Sequence, residues 1–241
     1  MIKYFDFEND IELLEKKYSS IDANDSKNIE ILNKKKEQLF TKIYSNLSPW
    51  QKVQVARHSN RPHTIDFINL IFDDVIFLHG DKKFADDNAI VGGFAKIAEQ
   101  SLIIIGTEKG NSMDSRLKHN FGMAKPEGYR KAQRLMTVAD KFNLPVVTFV
   151  DTAGAFPGKD AEERGQSESI ASSIQTSLKI GSPIISIIIG EGGSGGAIAL
   201  ATADIVLMLE HSIYSVISPE GCSSILWRSN NFTKKAAESL K

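Results

Sequence analysis

The sequence predicts an α/β fold, and three observations carry that prediction. Two short apolar runs, residues 145–150 and 183–189, each lead into a glycine-rich turn and then a helical pattern. A pair of apolar segments, 89–94 and 101–106, precedes them and reads as two strands around a short turn. Before all of these, Phe7, Ile11, Leu14, Tyr18 and Ile21 alternate at spacings of four and three, which is the period of a helix.

Taken in order, the elements follow from local chemistry. After a polar break at 22–27, Ile29, Leu32, Leu39, Ile43 and Leu47 resume the helical stripe, so a helical hairpin is expected. Ser48-Pro49-Trp50-Gln51 has the form of a capping box with proline at the first helical position, starting a third helix toward Arg57. Residues 1–63 are thus expected to form a helical arm serving core packing and subunit contact, and 64–241 the main domain. A helix is expected over 65–75, followed by the strand pair. The run 145–150 opens into Asp151-Thr-Ala-Gly-Ala-Phe-Pro-Gly158 and a long helical pattern striped by Ile170, Ile174 and Leu178, which Gly181 and Pro183 end. The second run, 183–189, meets Gly190-Glu-Gly-Gly-Ser-Gly-Gly196, then a helix start at 198–201 and a strand at 205–209.

The Gly190–Gly196 segment supports three chemistries. Gly190, Gly192 and Gly195 spell G-x-G-x-x-G, with Glu210 about twenty residues on, as a dinucleotide fold requires, but few residues remain for a crossover helix. Gly192, Ser194 and Gly196 spell the G-x-S-x-G nucleophile elbow, yet His211 is the only histidine downstream. The third reading is an oxyanion hole, in which first-turn amides stabilise a developing negative charge without a side-chain nucleophile. No lysine follows the glycines as in a phosphate-binding P-loop. Two strand–turn–helix units side by side would bring both amide-rich turns to one sheet edge.

Several longer motifs resemble one family. They are Phe121-Gly-Met-Ala-Lys-Pro-Glu-Gly-Tyr-Arg-Lys-Ala132, the 151–158 turn followed by Ala161-Glu-Glu-Arg-Gly-Gln-Ser-Glu168, the 190–196 loop, and Tyr214-Ser-Val-Ile-Ser-Pro-Glu-Gly-Cys-Ser-Ser-Ile-Leu-Trp227. Upstream, Trp50, Ala56-Arg-His58, Arg61-Pro62 and Asp87-Asn-Ala-Ile-Val-Gly-Gly93 extend the match over nearly the whole chain. They resemble the alpha subunits of the multisubunit acetyl-CoA carboxylase carboxyltransferase. Ala153 and Phe156 replace an expected proline and tyrosine, and Lys125 stands in a variable slot. The family normally continues beyond residues 236–241, so the chain is expected to end early, inside a helix.

The resemblance implies a crotonase-like spiral of strand–strand–helix units and transfer of a carboxyl group from carboxybiotin, on a biotin carboxyl carrier protein, to acetyl-CoA. It also implies an alpha2-beta2 assembly with a beta subunit that carries the zinc and most CoA contacts, alongside biotin carboxylase, with ATP used at the level of the complex. Within this chain it points to the amides of Gly195 and Gly196, shaped by Gly192 and Gly193, as catalytic. Gly154, Ala155 and Arg164 are the substrate-binding candidates; against Arg164, the adjacent Glu162 and Glu163 suggest a helix-surface ion pair. The basic set Lys125, Arg130, Lys131 and Arg134 is a weaker candidate for CoA phosphates. The alternative is a crotonase-fold acyl-CoA-binding enzyme or scaffold acting without a beta subunit.

Composition fits these expectations. With 41% hydrophobic residues and a formal net charge of −1, the chain can bury a full core and has no global field calling for nucleic acid. No apolar run reaches the ~18 residues of a membrane span, and the N-terminus lacks a signal-peptide pattern, so a cytoplasmic protein is expected. The single cysteine, Cys222, excludes an internal disulfide, and none of His58, His63, His79, His119 and His211 has metal-ligand spacing to another, so no metal is expected here.

Overall fold

The computed structural model describes residues 4–19, 21 and 25–240. Contacts divide the chain into two compact units, Met1–Gln51 and Lys52–Lys241. The expected arm of residues 1–63 thus spans the first unit and the opening of the second. In the first unit, α1 (Asn9–Tyr18) and α2 (Ser26–Tyr44) form the expected pair. They run antiparallel, because Tyr44 hydrogen-bonds Glu8 while Lys36 pairs with Glu15. Ile11 and Leu14 are buried, but α2 buries none of its stripe. Residues 22–24 of the polar break lie outside the described residues. The capping box is present: Ser48 N–H donates to Gln51 Oε1 at 2.8 Å, and Gln51 N–H to Ser48 Oγ at 3.3 Å. It opens α3 (Pro49–Ala56).

In the second unit α4 (Thr64–Ile71) is followed directly by β1 (Asp73–Phe77), so the helix expected over 65–75 stops four residues early. Sheet pairing overrides the helical period: Ile76 and Phe77 pair with Phe94 and Gly93. Gly93 admits that approach, since a Cβ there would stand 2.0 Å from the Ile76 carbonyl oxygen. The strands β2 (Ile90–Ile97) and β3 (Gln100–Thr107) form the expected antiparallel hairpin, turning through Ala98 at φ 51. Then come α5 (Met113–Lys118), α6 (Pro126–Lys141), β4 (Val146–Thr152), α7 (Lys159–Glu163), α8 (Gln166–Lys179) and β5 (Ile184–Gly193). The long helical pattern breaks into α7 and α8 at Gly165, whose φ of 83 leaves the helix. Last are α9 (Ser194–Ala201), β6 (Ile205–Met208), β7 (Ile213–Ser215), α10 (Pro219–Trp227) and α11 (Thr233–Ser239).

The sheet order is β1-β2-β3-β4-β5-β6, antiparallel through β3 and parallel beyond it, with β7 beside the final third of β5. The central strands are buried on both faces, which explains their unbroken apolar runs. On one face Ile103, Ile105, Val146, Val150 and Ile188 pack with residues of α6 and α9. On the other, Leu102, Ile104, Phe149 and Ile189 pack against Ile68 and Phe72.

One expectation is corrected at the site itself. Gly190–Gly193 is strand and not turn: Glu191, Gly192 and Gly193 pair with Ile213, Tyr214 and Ser215. The chain passes from β5 into α9 through one residue, Ser194, at φ 50.

Candidate active site

Two backbone segments meet at the ends of β4 and β5. The first, Thr152 to Ala155, is fixed by the Thr152 hydroxyl, which donates to the Gly154 carbonyl at 2.8 Å and accepts the Gly154 N–H at 3.1 Å. Gly154 itself sits at φ 151. The second is the junction of β5 with α9. A Cβ on Gly196 would lie 2.5 Å from the Gly154 carbonyl carbon and 2.7 Å from the Ala155 nitrogen, and one on Gly193 would lie 2.2 Å from the Ala153 oxygen. Only glycine allows the two segments to touch this way. Ser194, Gly195 and Gly196 occupy the first turn of α9, whose amides have no acceptor within the helix. Gly196 and Gly154 are buried, whereas Gly195 and Ala155 are half-buried and Ala153 is exposed.

This geometry bears on two of the three readings of the glycine segment. Gly190 and Gly192 lie inside β5, so they form no dinucleotide-binding turn. Ser194 has an elbow-like backbone, but among the described residues no histidine hydrogen-bonds its Oγ.

Behind the two segments lies a charged brace that sequence reasoning missed. Asp151, 3% exposed, accepts the Glu191 N–H on Oδ1 at 2.8 Å, and Lys109 Nζ lies 2.6 Å from the same oxygen. The Asp151 N–H donates to Thr107 Oγ1 at 2.6 Å. Arg57 donates to Glu191 Oε1 through Nη2 at 2.6 Å and to Glu220 through Nη1 at 2.8 Å. Burial works against the Arg57 charge, but the bonds to Glu191 and Glu220 outweigh it and raise its pKa. The signal available in the sequence was an acid ending each apolar strand just before the glycines: Asp151 after 146–150 and Glu191 after 184–190.

The remaining candidates fall elsewhere. Arg164 does not pair with its neighbours Glu162 and Glu163; its Nη2 lies 3.0 Å from Glu127 Oε1 and 3.4 Å from Asp160 Oδ2, and its guanidinium covers the Phe84 ring at 4.9 Å. The basic set is committed to internal bonds. Arg130 holds Asp81 at 2.9 Å, Arg134 donates to the carbonyls of Gly80 and His79, and Lys131, 2% exposed, holds Asp86 at 2.5 Å. Lys125 lies 4.8 Å over the Phe156 ring. Cys222 is buried in α10, and among the described residues no three His, Cys, Asp or Glu side chains group as a metal site.

Comparison with known proteins adds the decisive observation. A family model described as acetyl co-enzyme A carboxylase carboxyltransferase-like matches residues 3–241. The acetyl-coenzyme A carboxylase carboxyl transferase subunit alpha of Paramagnetospirillum magneticum is 59% identical over 220 residues, which is 91% of this chain and 69% of that protein. The chain belongs to the acetyl-CoA carboxylase carboxyltransferase alpha-subunit family.

The subunit alpha of Rhodospirillum centenum is 57% identical over 98% of this chain and 74% of its own length. Among solved structures, the beta subunit of Pseudomonas aeruginosa geranyl-CoA carboxylase superposes with a TM-score of 0.61 at 17% identity, over 80% of this chain and 38% of that one. The transcarboxylase 12S structure gives 0.60 at 22% identity, over 72% of this chain and 34% of that one. These two share the fold, which is the crotonase-like architecture expected from the motifs.

Proposed function

We propose that this chain is the alpha subunit of a cytoplasmic acetyl-CoA carboxylase carboxyltransferase. The reaction moves the carboxyl group of carboxybiotin, held on a biotin carboxyl carrier protein, to the methyl carbon of acetyl-CoA, giving malonyl-CoA for fatty acid synthesis. The observation that carries this reading is the backbone contact of Gly196 with Gly154 and Ala155, which sets the first-turn amides of α9 beside a second glycine turn.

A bound biotin group would supply a urea nitrogen that gives up the carboxyl and accepts the methyl proton. The residues fit such a flat group at the start of α9, where the half-buried Gly195 carries no side chain of its own and even a Cβ there would meet only Ile170 at 3.6 Å. In this assignment the Gly195 and Gly196 N–H groups stabilise the oxyanion that develops as the carboxyl group leaves. Gly192 and Gly193 shape the end of β5, and Gly154 and Ala155 form the facing wall. Arg164 uses Nε and Nη2 on Glu127 and Asp160, which leaves Nη1 for a substrate carboxylate. No side-chain nucleophile is required.

The partners proposed are a beta subunit bearing the zinc and most CoA contacts, in an alpha2-beta2 assembly, and biotin carboxylase with the carrier protein. Partner binding is supported by exposed apolar side chains: Ile205 and Leu207 of the edge strand β6 are 52% and 49% exposed, and Ile225 and Leu226 of α10 are 70% and 65% exposed. The test is malonyl-CoA formation from acetyl-CoA by the chain mixed with a beta subunit and a carboxybiotin donor. Product supports the assignment. Absence of product from a folded mixture, with tight acetyl-CoA binding by the isolated chain, favours an acyl-CoA-binding protein that acts alone.

A further inference from the structure

A cavity of about 200 Å³ in the second unit is lined by four cationic side chains, Arg57, Arg61, Lys109 and Arg116, together with Asp151 and Phe121. None of the glycines assigned above lines it. Two of the cations are neutralised within the protein, Arg57 by Glu191 and Glu220 and Lys109 by Asp151. The other two are not. Arg61 donates Nε to the Ile189 carbonyl at 2.6 Å, Arg116 donates Nε to the Gly110 carbonyl at 3.2 Å, and among the described residues neither meets a carboxylate. Among the described residues, each keeps the Nη1 and Nη2 arms of its fork without a protein acceptor.

The nearby carboxylates are all engaged. Asp151, Glu191 and Glu220 hold the pairs just named, and Glu108 accepts the Ile65 and Gly110 amides with His63 Nδ1 3.3 Å away. An incoming anion therefore faces donors, and Asp151, the carboxylate among the described lining residues, is paired with Lys109. Burial lowers the pKa of Arg61, offset only in part by the Asp151 charge, which is the mark of a guanidinium drawn out of water without a counter-ion. Two planar forks with free N–H groups match the oxygens of a phosphate better than those of a neutral group.

We propose that this cavity binds a phosphate group through Arg61 and Arg116. The proposal goes beyond the carboxyl-transfer reading: a free-phosphate site is independent of that reading, whereas an acyl-CoA phosphate rests on it. The phosphate could be free inorganic phosphate or part of an acyl-CoA, and the two sources are separable by titration. Calorimetry on the full chain with inorganic phosphate, and separately with acetyl-CoA, should detect binding that weakens with added salt. Arg116→Gln should weaken it at least about tenfold, while Lys179→Gln, on the exposed end of α8, should not change it. Arg116 makes one bond to a carbonyl and is half-buried, so its variant should melt as the wild type does; Arg61→Gln gives a second reading if its melting is also unchanged.

Loss of both titrations in Arg116→Gln would assign the phosphate to an acyl-CoA; loss of the inorganic phosphate titration alone would assign a free-phosphate site. The proposal is overturned if neither probe binds at millimolar concentration, or if Arg116→Gln and Arg61→Gln both titrate like the wild type.

Discussion

Gly196 and Gly154 are in backbone contact, close enough that a Cβ on Gly196 would stand 2.5 Å from the Gly154 carbonyl carbon. The contact ties the start of α9 to the turn after β4, so the spacing of the two amide-bearing segments is set by packing. Gly196→Ala should therefore force the segments apart and cost about 1–3 kcal/mol of stability, the usual price of overpacking. Chemical denaturation should show the loss, and turnover should fall with it. Unchanged stability would mean the two segments are free to separate.

The brace behind those segments predicts a larger effect. Asp151 is buried and pairs with Lys109 at 2.6 Å, so Asp151→Ala leaves an ammonium that is only 19% exposed with the more distant Glu191 Oε2, 3.7 Å away, as its counter-charge, and leaves the Glu191 N–H without its acceptor. Removing one partner of a buried pair costs about 3–5 kcal/mol. Denaturant midpoints should place both Asp151→Ala and Lys109→Met well below the wild type, since Lys109→Met in turn leaves the buried Asp151 carboxylate without its nearest cation. Equal, small losses in both variants would contradict a structural brace.

A pH dependence follows from Asp86. Burial raises its pKa, but the hydrogen bonds to Lys131 and the Gly80 amide outweigh burial and hold it down to about 2. A depressed carboxylate contributes stability that is complete above its unfolded pKa of about 4 and is lost as pH falls toward 2. Melting temperatures measured from pH 5 to pH 2 should fall in that window, and the fall should be shallower in Asp86→Asn. A parallel decline in both proteins would remove Asp86 from the account.

Arg164 offers a test with two readouts. Arg164→Gln should lower stability by about 1 kcal/mol, since its Glu127 pair is partly exposed on the arginine side. If Nη1 meets a substrate carboxylate, KM for the carboxybiotin donor should rise while kcat changes less. A lower melting temperature with unchanged KM would limit Arg164 to holding Glu127 and Asp160.

Much of the fold was legible in the sequence because it rests on local pattern. The buried strands β3, β4 and β5 announce themselves as unbroken apolar runs, and the capping box at Ser48 and Gln51 forms as written. Expectation failed where distant partners decide. Val75 reads as the end of a helix until β2 pairs with its segment, and Gly190–Gly193 reads as a turn until β7 supplies a strand beside it. The brace was out of reach for the same reason: Arg57 and Glu191 are 134 residues apart in the chain. Motif content pointed to the glycine segments, but only the structure shows that Gly196 packs on the Gly154 backbone.

The most direct test of the amide assignment uses Gly195. A Cβ there meets only Ile170 at 3.6 Å, an ordinary contact, so Gly195→Ala should keep both fold and donor. Gly195→Pro removes the N–H at a first-turn position where the helix itself does not need it. Malonyl-CoA formation should be measured for both variants with a beta subunit and carboxybiotin donor, beside their melting curves. The predicted result is near wild-type turnover for Gly195→Ala and a loss of about 10²–10³ in kcat for a folded Gly195→Pro. Full turnover in Gly195→Pro, or equal loss in both, would contradict the oxyanion role of that amide.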